Sequence, residues 1–362
     1  MATMKDIATR LGVSLSTVSK GLNGGQDISD SLRQTILDTA VEVGYINRKA
    51  KKQDTRSVAV FIENMEYEKA DQFGYDIVLG FQQAAYREKW GVTIIPADHT
   101  LQKKHKYDAY MLQGKYSAAF FMGFSLDDPW MNQLADTSIP TVLLDNFIPI
   151  NPKVSSIGTD SEEGIDMAID HLARLGHEKI AFLNGSAGST ISNQRMLAYL
   201  NSMARHHLPI DTSMAVYGYF VAEAAKYHVP GFLDQGATAI LCGNDLIASG
   251  VIQCCNDLGY SVPGDISVIG FDDIPLAANL RPALTTIAQN RNELGQCAYY
   301  TLHAMIHNVS LSKNLLRPNL ILRDSTAIAK PRLVVRRSND KDTVDNVNPE
   351  LYSQFAKQQL LK

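Results

Sequence analysis

Apolar residues recur at three- and four-residue spacing through the first 45 positions, a pattern that is typical of amphipathic helices. Gly12 follows the first apolar stripe, and a glycine there ends a helix without side-chain strain. Ser14 and Ser29 each stand before a further stripe, where a hydroxyl can cap free backbone N–H groups. Three short helices are therefore predicted, the last ended by Gly44. Their inner faces hold Ile7, Ala8 and Leu11, then Val18 and Leu22, and then Leu32, Ile36, Ala40 and Val43.

The period changes after residue 57, where short apolar runs alternate with helical segments. Such alternation predicts right-handed crossovers and parallel sheets covered by helices on both faces. The rhythm restarts once, so the predicted fold class is α/β, with two doubly wound lobes behind a small all-α head. The predicted strands are 58–63, 92–96, 118–122, 141–145, 179–183, 214–218, 239–242 and 267–271. The predicted helices of the lobes are 73–89, 161–175, 192–206, 222–235 and 246–258.

The outer face of the second helix carries Leu15, Ser16, Thr17 and Lys20. Hydroxyl groups can bind phosphates or base edges, and a lysine can donate to guanine in the major groove. The pattern therefore favours a helix-turn-helix that binds DNA. An ordinary pair of surface helices has the same spacing, so spacing alone leaves that alternative open.

The amino-acid sequence of these helices resembles the amino-terminal module of the LacI/GalR family of bacterial transcription regulators. KDIA stands at residues 5–8, GVS at 12–14, TVSK at 17–20 and LN at 22–23. GNDLIASG at 243–250 and VPGDISVIGFDD at 262–273 resemble further family signatures, so the similarity spans about residues 2–326. The resemblance implies a two-lobed core like that of a periplasmic binding protein. It also implies that the chain crosses between the lobes three times, near Pro149, Leu276 and Asn319.

Four segments are expected along the chain. They are a DNA-binding head at 1–47, a basic hinge linker at 48–57, an effector-binding and dimerisation core at 58–330, and a tail at 331–362. The linker keeps Asn47 and Ala50 of the family's Asn-x-x-Ala pattern, but it is shorter than the usual hinge and lacks the leucine that wedges into the minor groove. Its basic residues are expected to bind phosphates instead, unless they only keep the linker solvated. These residues are Arg48, Lys49, Lys51 and Lys52.

The charge distribution changes the picture given by the overall charge. The net charge of −4 is unusual for a protein that binds nucleic acid. Residues 1–56, however, hold nine lysines and arginines against six acidic residues, so this part carries about +3 and the remainder about −7. This charge asymmetry fits a small DNA-facing head on an acidic body, because the field near the head matters more for DNA than the overall charge.

The resemblance implies roles for individual residues of the head. Leu15, Ser16 and Lys20 are expected to contact bases. Lys20 stands where an arginine is common in the family, so two-pronged recognition of guanine is weaker here. The other expected DNA contacts go mainly to phosphates and come from Thr3, Ser14, Thr17, Ser19 and Asn23. A twofold dimer with two such heads would bind a palindromic operator.

Polar residues follow several predicted strands, at the edge where open α/β sheets bind ligands. Asp145, Asn244 and Asp272 stand there, and each could bind a hydroxyl-rich ligand or satisfy backbone groups at a strand end. For Asp273 the second role is favoured. The resemblance implies that the first three residues line an effector cleft together with Arg195. Aromatic faces considered for a sugar ring, which are as often core residues, are Phe73, Tyr75 and Phe220.

The sequence gives little support for secretion, metal binding or catalysis. No apolar run has the character of a signal peptide or membrane span, so a cytoplasmic location is expected. The four cysteines lack metal-ligand spacing and are expected to stay reduced. NGSAGS at 184–189 is neither a nucleophile elbow nor a phosphate loop, and His303 and His307 have no third ligand nearby. No cofactor, resident metal or catalytic residue is predicted.

We therefore expect a homodimeric regulator that binds double-stranded operator DNA and is released by a small-molecule effector, a sugar or similar compound. A repressor of carbohydrate-utilisation genes is the favoured interpretation, and a purine-type repressor that needs a corepressor is the alternative. A solute-binding protein of a transporter would have no use for residues 1–47. A glycosidase, the second rival, would use Asp145 and Asp272 as its pair of acids.

Overall fold

The computed structural model describes residues 2–25, 27–45 and 56–330. Within them lie a three-helix head and two six-stranded sheets, so the predicted class, α/β with a small all-α head, is confirmed. Several predicted features lie outside the described residues, namely the tail at 331–362 and the linker residues Asn47, Arg48, Lys49, Ala50, Lys51 and Lys52.

The head consists of helices α1 (Met4–Leu11), α2 (Leu15–Asn23) and α3 (Asp30–Glu42). Ser14 and Ser29 cap α2 and α3 as predicted, each accepting a hydrogen bond from a backbone N–H of the next turn. Gly12 ends α1 with a φ of 65°, a left-handed conformation that favours glycine. Thr3 and Asp6 form a reciprocal capping box at the start of α1, in which Thr3 N donates to Asp6 Oδ2 at 2.7 Å.

A small apolar core holds the three helices of the head together. Ile7, Val18 and Ile36, one from each helix, are fully buried. Gly21 lets α2 and α3 approach closely, because a methyl group there would lie 2.7 Å from the side chain of Ile36. A core of this size contributes little stability, so the head depends on that close approach.

The first lobe is built on a sheet of six parallel strands. These are β1 (Ser57–Ile62), β2 (Gly91–Pro96), β3 (Ala118–Met122), β4 (Thr141–Leu144), β5 (Val154–Thr159) and β11 (Lys313–Leu316). The strand order is β11-β5-β4-β3-β1-β2, and Val58 of β1 pairs with Val92 and Ala118. The helices packed on this sheet are α4 (Phe73–Arg87), α5 (His99–Lys104), α6 (Tyr107–Gly114) and α12 (Arg291–Ile306).

The second lobe has the same plan. Its strands are β6 (Ile180–Asn184), β7 (Ala215–Tyr217), β8 (Ala239–Cys242), β9 (Ser267–Asp272), β10 (Thr285–Ala288) and β12 (Asn319–Ile321). They lie in the order β12-β10-β9-β8-β6-β7, and all pairs are parallel except β12 with β10. Its helices are α7 (Ser161–Arg174), α8 (Thr190–Arg205), α9 (Ala225–Asp234), α10 (Asp245–Asp257) and α11 (Pro275–Asn279).

The chain crosses between the lobes three times, but two crossings differ from the expected positions. It leaves the first lobe after β5, near Asp160, rather than near Pro149, because β5 still belongs to the first sheet and Asp160 caps α7 of the second lobe. The second crossing follows β10 near Gln289, whereas Leu276 lies within α11. The third crossing, between β11 and β12, ends at Asn319 as expected.

Strands β5 and β10 escaped prediction because their residues are buried but polar. β5 reads VSSIGT, and its Ser155 and Ser156 are buried in the sheet. β10 reads TTIA, and Thr285 and Thr286 are fully buried. A segment rich in hydroxyl residues looks like a loop in the sequence, because it lacks the apolar run that predicts a buried strand.

Helices α4 and α12 pack closely on one face of the first sheet. A methyl group on Gly80 would lie 2.0 Å from Asn292 O, and one on Gly295 would lie 1.9 Å from Ile77 O. This contact fixes the start of α12, which holds Arg291, at the crossing between the lobes.

Among the helices that the structure describes, none is both long enough and apolar enough to cross a membrane.

The head contacts the first lobe through α3 and the region of α6. Ala109 of α6 is buried among the apolar residues of the head. His105 Nδ1 lies 3.2 Å from Gln34 Oε1 of α3, and Lys106 Nζ lies 4.0 Å from Asp38 Oδ2. Leu15 and Ser16, at the start of α2, stay exposed.

Candidate functional site

The structure places Asp145 directly after β4, at the carboxyl edge of the first sheet. Its φ of 57° lies in the left-handed region, where aspartate is found more often than most residues other than glycine. The Asp145 side chain lies over Gly158 of β5, since a methyl group on that glycine would be 2.6 Å from Asp145 Oδ1. A close approach of this kind requires glycine at 158.

Arg195 lies on α8 of the second lobe and is 3% exposed. Its Nη1 donates to Gly243 O at 2.5 Å, and its guanidinium carbon lies 3.7 Å from the centre of the Phe271 ring. Its Nη2 is 3.9 Å from Asp272 Oδ1. Its Nε is buried without a hydrogen-bond partner among the described residues. A buried guanidinium with an unpaired N–H is suited to a ligand oxygen.

Asp272 ends β9 beside Arg195, and its φ of 110° is again positive. Gln289 Nε2 donates to Asp272 Oδ1 at 2.6 Å, so an amide from the second crossing supports this carboxylate. Asp245 lies deeper and is satisfied by the protein, because Thr286 Oγ1 and Ile274 N donate to it. Asp272 rather than Asp245 is therefore the acid available to a ligand.

Electrostatics link the acids and the arginine of the two lobes. Burial raises the pKa of Asp145 to about 6; Arg195 opposes this shift and Asp272 adds to it. Burial also raises the pKa of Asp272 to about 6 against the effect of Arg195. Burial lowers the pKa of Arg195, which the two acids oppose. Arg195 thus interacts with both Asp145 and Asp272. A further hydrogen-bond donor would stabilise the ionised form of either acid.

Asn244 is buried and follows β8, as predicted, but its carbonyl oxygen already has a partner. Ile247 N donates to Asn244 Oδ1 at 2.8 Å, so Asn244 caps α10. The Asp273 carboxylate forms an ion pair with Arg323 at 2.7 Å, rather than the expected contact with backbone groups at the strand end. The Asn244 amide nitrogen remains the group that could donate to a ligand.

The aromatic candidates are divided between the lobes. Phe73 starts α4 and packs against the apolar core of the first lobe, and Tyr75 is half-buried on the same helix. The Phe220 ring lies over Gly185, at the end of β6, where a methyl group would be 2.2 Å from the ring. A pocket of about 480 Å³ lies beside this segment, and its walls include Tyr217, Tyr219, Tyr227 and His228. None of the predicted effector residues lines that pocket.

Two polar contacts that join the lobes were not predicted. Thr190 Oγ1, at the start of α8, donates to Asn146 Oδ1 of the first lobe at 2.8 Å. Arg291 Nη2 donates to Asp76 Oδ2 of α4 at 3.0 Å, while its Nη1 donates to the backbone oxygens of Asp272 and Asp273. Thr190 and Asn146 are 44 residues apart, and Arg291 bonds both to Asp76, 215 residues away in the first lobe, and to backbone oxygens of the second lobe, so no local pattern in the sequence could have revealed these contacts.

The second candidate surface is α2 of the head. Leu15 is 51% exposed, and Ser16 is exposed beside it. Ser14 Oγ is occupied by capping, since Thr17 N donates to it at 3.1 Å. Lys20, which is 43% exposed in its side chain, forms an ion pair with Asp27 that sequence reasoning did not predict.

The remaining DNA candidates occupy the edges of this surface. Thr3 lies at the start of α1 and is used by the capping box. Asn23 Nδ2 donates to Ser19 O at 2.8 Å and lies 3.4 Å from Ser19 Oγ. The exposed start of α2, next to capping hydroxyls and one paired lysine, is a surface that a DNA groove could accept.

Two protein-family models match the chain. The model for bacterial regulatory proteins of the lacI family matches residues 3–47, and a periplasmic binding protein-like domain matches residues 169–326. The head therefore belongs to the lacI family of bacterial regulatory proteins, and residues 169–326 belong to the periplasmic binding protein-like domains. The resemblance inferred from the motifs of the head is thereby confirmed.

Several named relatives align with this chain over nearly their whole length. The HTH-type transcriptional repressor PurR of Photobacterium profundum is 26% identical over 90% of this chain and 98% of its own. The ribose operon repressor of Haemophilus influenzae is 28% identical over 90% and 98%, and the HTH-type transcriptional repressor CytR of Escherichia coli K12 is 28% identical over 90% and 96%. All three are named as transcription repressors, a class distinct from enzymes.

Solved structures of transcription regulators agree with the fold. A lac repressor dimer bound to operator and the anti-inducer ONPF superposes with a TM-score of 0.64, at 25% identity over 90% of this chain and 99% of that one. A complex of the transcriptional regulator CelR with cellobiose has a TM-score of 0.68 at 22% identity, covering 90% and 100%. The head followed by a two-lobed core is thus the shared architecture.

Proposed function

We propose that this chain is a cytoplasmic transcription repressor that binds a palindromic operator as a homodimer and is controlled by a small-molecule effector. The observation that carries the proposal is the presence, in one chain, of an exposed helix-turn-helix surface and a buried arginine between acids from two lobes. A transporter's solute-binding protein needs only the second feature. A dimer places two heads on a twofold axis, which suits two half-sites of a palindrome.

In the proposed complex the start of α2 enters the major groove. Leu15 and Ser16 contact base edges there, and Lys20 joins them once it leaves Asp27. Thr3, Ser14, Thr17, Ser19 and Asn23 set the position of the head through phosphates. The basic linker, Arg48, Lys49, Lys51 and Lys52, adds phosphate contacts that weaken with salt.

The proposed effector is hydroxyl-rich, a sugar or the sugar part of a nucleoside. Arg195, Asp145 and Asp272 would each take one ligand group, so the effector must both accept and donate hydrogen bonds. Asn244 adds an amide donor, and Phe73, Tyr75 and Phe220 are the candidate faces for a ring. Relatives named as ribose and PurR repressors support a ligand of this class, and a purine corepressor is the alternative.

Effector binding changes DNA affinity only through a preference for one arrangement of the lobes. The α3 contact with the region of α6 offers a route, because it ties the head to the first lobe through Gln34, Asp38 and Ala109. Lobe movement would therefore shift the head directly. The linker lacks the leucine that wedges into the minor groove. The contact between α3 and the region of α6 therefore provides a physical connection between the cleft and the head.

The test is selection of bound fragments from a random duplex pool by the purified protein, with and without a mixture of common sugars and nucleosides. Enrichment of a palindrome that is lost when ligand is added supports an induced repressor. Enrichment only when purine is present supports the corepressor alternative. Absence of any enriched sequence under all conditions would contradict the proposal.

A further inference from the structure

A second group of titratable side chains lies on the first lobe and includes none of the proposed effector residues. Glu63 directly follows β1, His99 begins α5 just after β2, and Asp128 lies in the loop after β3. One ligand atom from each of the three lies within 4.8 Å of the others. Since β1, β2 and β3 are neighbours in the sheet, the topology itself brings the three side chains together.

Among the described ion pairs, His99 is the one cationic partner of the two acids in this group. Asp128 is 2% exposed; its Oδ2 accepts from Ser125 N at 2.8 Å, and its Oδ1 faces His99 Nε2 at 2.6 Å. Glu63 Oε1 is approached by Asn64 Nδ2 at 3.3 Å. Among the described ion pairs, no lysine or arginine reaches Glu63 or Asp128. Burial raises the pKa of Glu63, and the charge of Asp128 raises it further.

We propose that Glu63, His99 and Asp128 bind a zinc ion. One imidazole nitrogen with two carboxylate oxygens is a ligand set that zinc accepts, leaving a fourth position for water. Calcium and magnesium prefer oxygen ligands alone, so the imidazole favours a transition metal. The cation would supply the positive charge that the buried carboxylate and its neighbour lack.

The geometry needs only a small adjustment. At zinc–ligand distances of about 2.1 Å, tetrahedral ligand atoms lie about 3.4 Å apart. The observed separations run from 2.6 Å between His99 and Asp128 to at most 4.8 Å within the group. The His99 side chain is 54% exposed, so its ring can rotate without disturbing the core. Zinc would then fasten the end of β1, the start of α5 and the loop after β3.

The experiment uses the full chain without an affinity tag, freed of metal by a chelator, and titrates it with Zn²⁺ in a calorimeter. Binding of one equivalent per chain is expected, with a rise in Tm of several degrees. His99→Ala and Glu63→Gln should each weaken zinc binding at least tenfold. Co²⁺ should give an absorption band that is lost in His99→Ala. Far-UV circular dichroism checks that both variants remain folded.

His307→Ala is the matched control, because the rings of His303 and His307 lie 4.6 Å apart and this histidine pair could itself bind zinc. Zinc affinity unchanged in His307→Ala supports the proposed site. The proposal is overturned if the parent shows no saturable binding. It is equally overturned if His99→Ala binds zinc as tightly as the parent, or if the affinity is lost in His307→Ala.

Discussion

The DNA-facing surface of the head and the cleft between the lobes are built in opposite ways. The head surface comes from one short stretch, in which Ser14 caps α2 and leaves Leu15 and Ser16 exposed. The cleft brings Asp145 and Asp272 from different lobes next to a buried Arg195. A locally determined surface tolerates change at small cost, whereas a buried charge cluster depends on the entire fold.

The positive charge at the amino-terminal end of the chain lies in the linker and not in the helices of the head. Residues 2–45 hold four lysines and arginines against five acidic residues, so the globular head is not basic. Residues 46–56 hold five basic residues against one acid and supply the positive charge of this end of the chain. We therefore expect the helices of the head to give specificity and the linker to give much of the electrostatic affinity.

The largest effect is expected in the cleft. Arg195→Met keeps the side-chain length but leaves the buried acids without their cation, which should lower the free energy of unfolding by about 3 kcal/mol at pH 7. Urea unfolding measures this loss. Arg205→Met, on the same helix but exposed and paired with Asp166, should cost less than about 1 kcal/mol. Equal losses in the two variants would remove the distinction between buried and exposed charge.

Next comes the linker. Replacing Lys49, Lys51 and Lys52 by Ala should lower operator affinity about a hundredfold at physiological salt and reduce the salt slope by about three. The measurement is operator binding between 50 and 300 mM salt, roughly the range in which phosphate contacts are lost. An unchanged slope would show that the linker lysines do not contact DNA.

Gly21→Ala sharpens the comparison within the head. The added methyl group would overlap the Ile36 side chain, so we expect a loss of about 2 kcal/mol of head stability and a matching loss of operator binding. Effector binding by the core should be unchanged. Gly231→Ala, a helical position with open space around it, serves as the control. Operator affinity that stays at the parent's level in Gly21→Ala would contradict the close packing.

Asp145→Asn tests the electrostatics of the cleft through pH. Because the pKa of Asp145 is raised to about 6 in the folded protein, the folded state holds this proton more tightly than the unfolded chain. That contribution to stability is present below about pH 4 and is lost as the pH rises through 6. Relative to the parent, the variant should gain about 2 kcal/mol between pH 4 and 7. A constant difference across this range would be evidence against the shift.

The smallest effect is expected for Asp27→Asn. Lys20 pairs with Asp27 on the exposed surface of the head, so DNA must compete for this lysine. Removing the acid should raise operator affinity severalfold, with little change in Tm. Asp30→Asn, which removes a partner of Arg33 instead, is the control. Equal affinities for Asp27→Asn and the parent would show that the pair does not restrain Lys20.

The comparison explains what could be predicted from sequence. The caps at Ser14 and Ser29 follow local rules, and the structure has them as predicted. Strands such as β5 were missed because Ser155 and Ser156 are buried although polar. The inter-lobe contacts of Thr190 and Arg291 join distant residues, so they become visible only in the fold.

The same limits apply to individual site residues. The motif resemblance directed attention to Arg195, but its stacking on Phe271 and its unpaired Nε depend on the meeting of α8 with β9. Asn244 was predicted at a strand end, and its role as the cap of α10 follows from the turn that succeeds β8. Spacing gives the position of such residues, whereas their partners are set by tertiary packing.

The most direct test of the account is operator affinity measured with a panel of pentoses, hexoses and nucleosides, for the parent, Arg195→Met and Arg205→Met. We predict that at least one ligand changes the operator affinity of the parent and of Arg205→Met at least fivefold, a typical size of allosteric coupling. Arg195→Met should bind operator but fail to respond to that ligand. A full response in Arg195→Met would contradict the claim that this cleft controls the head.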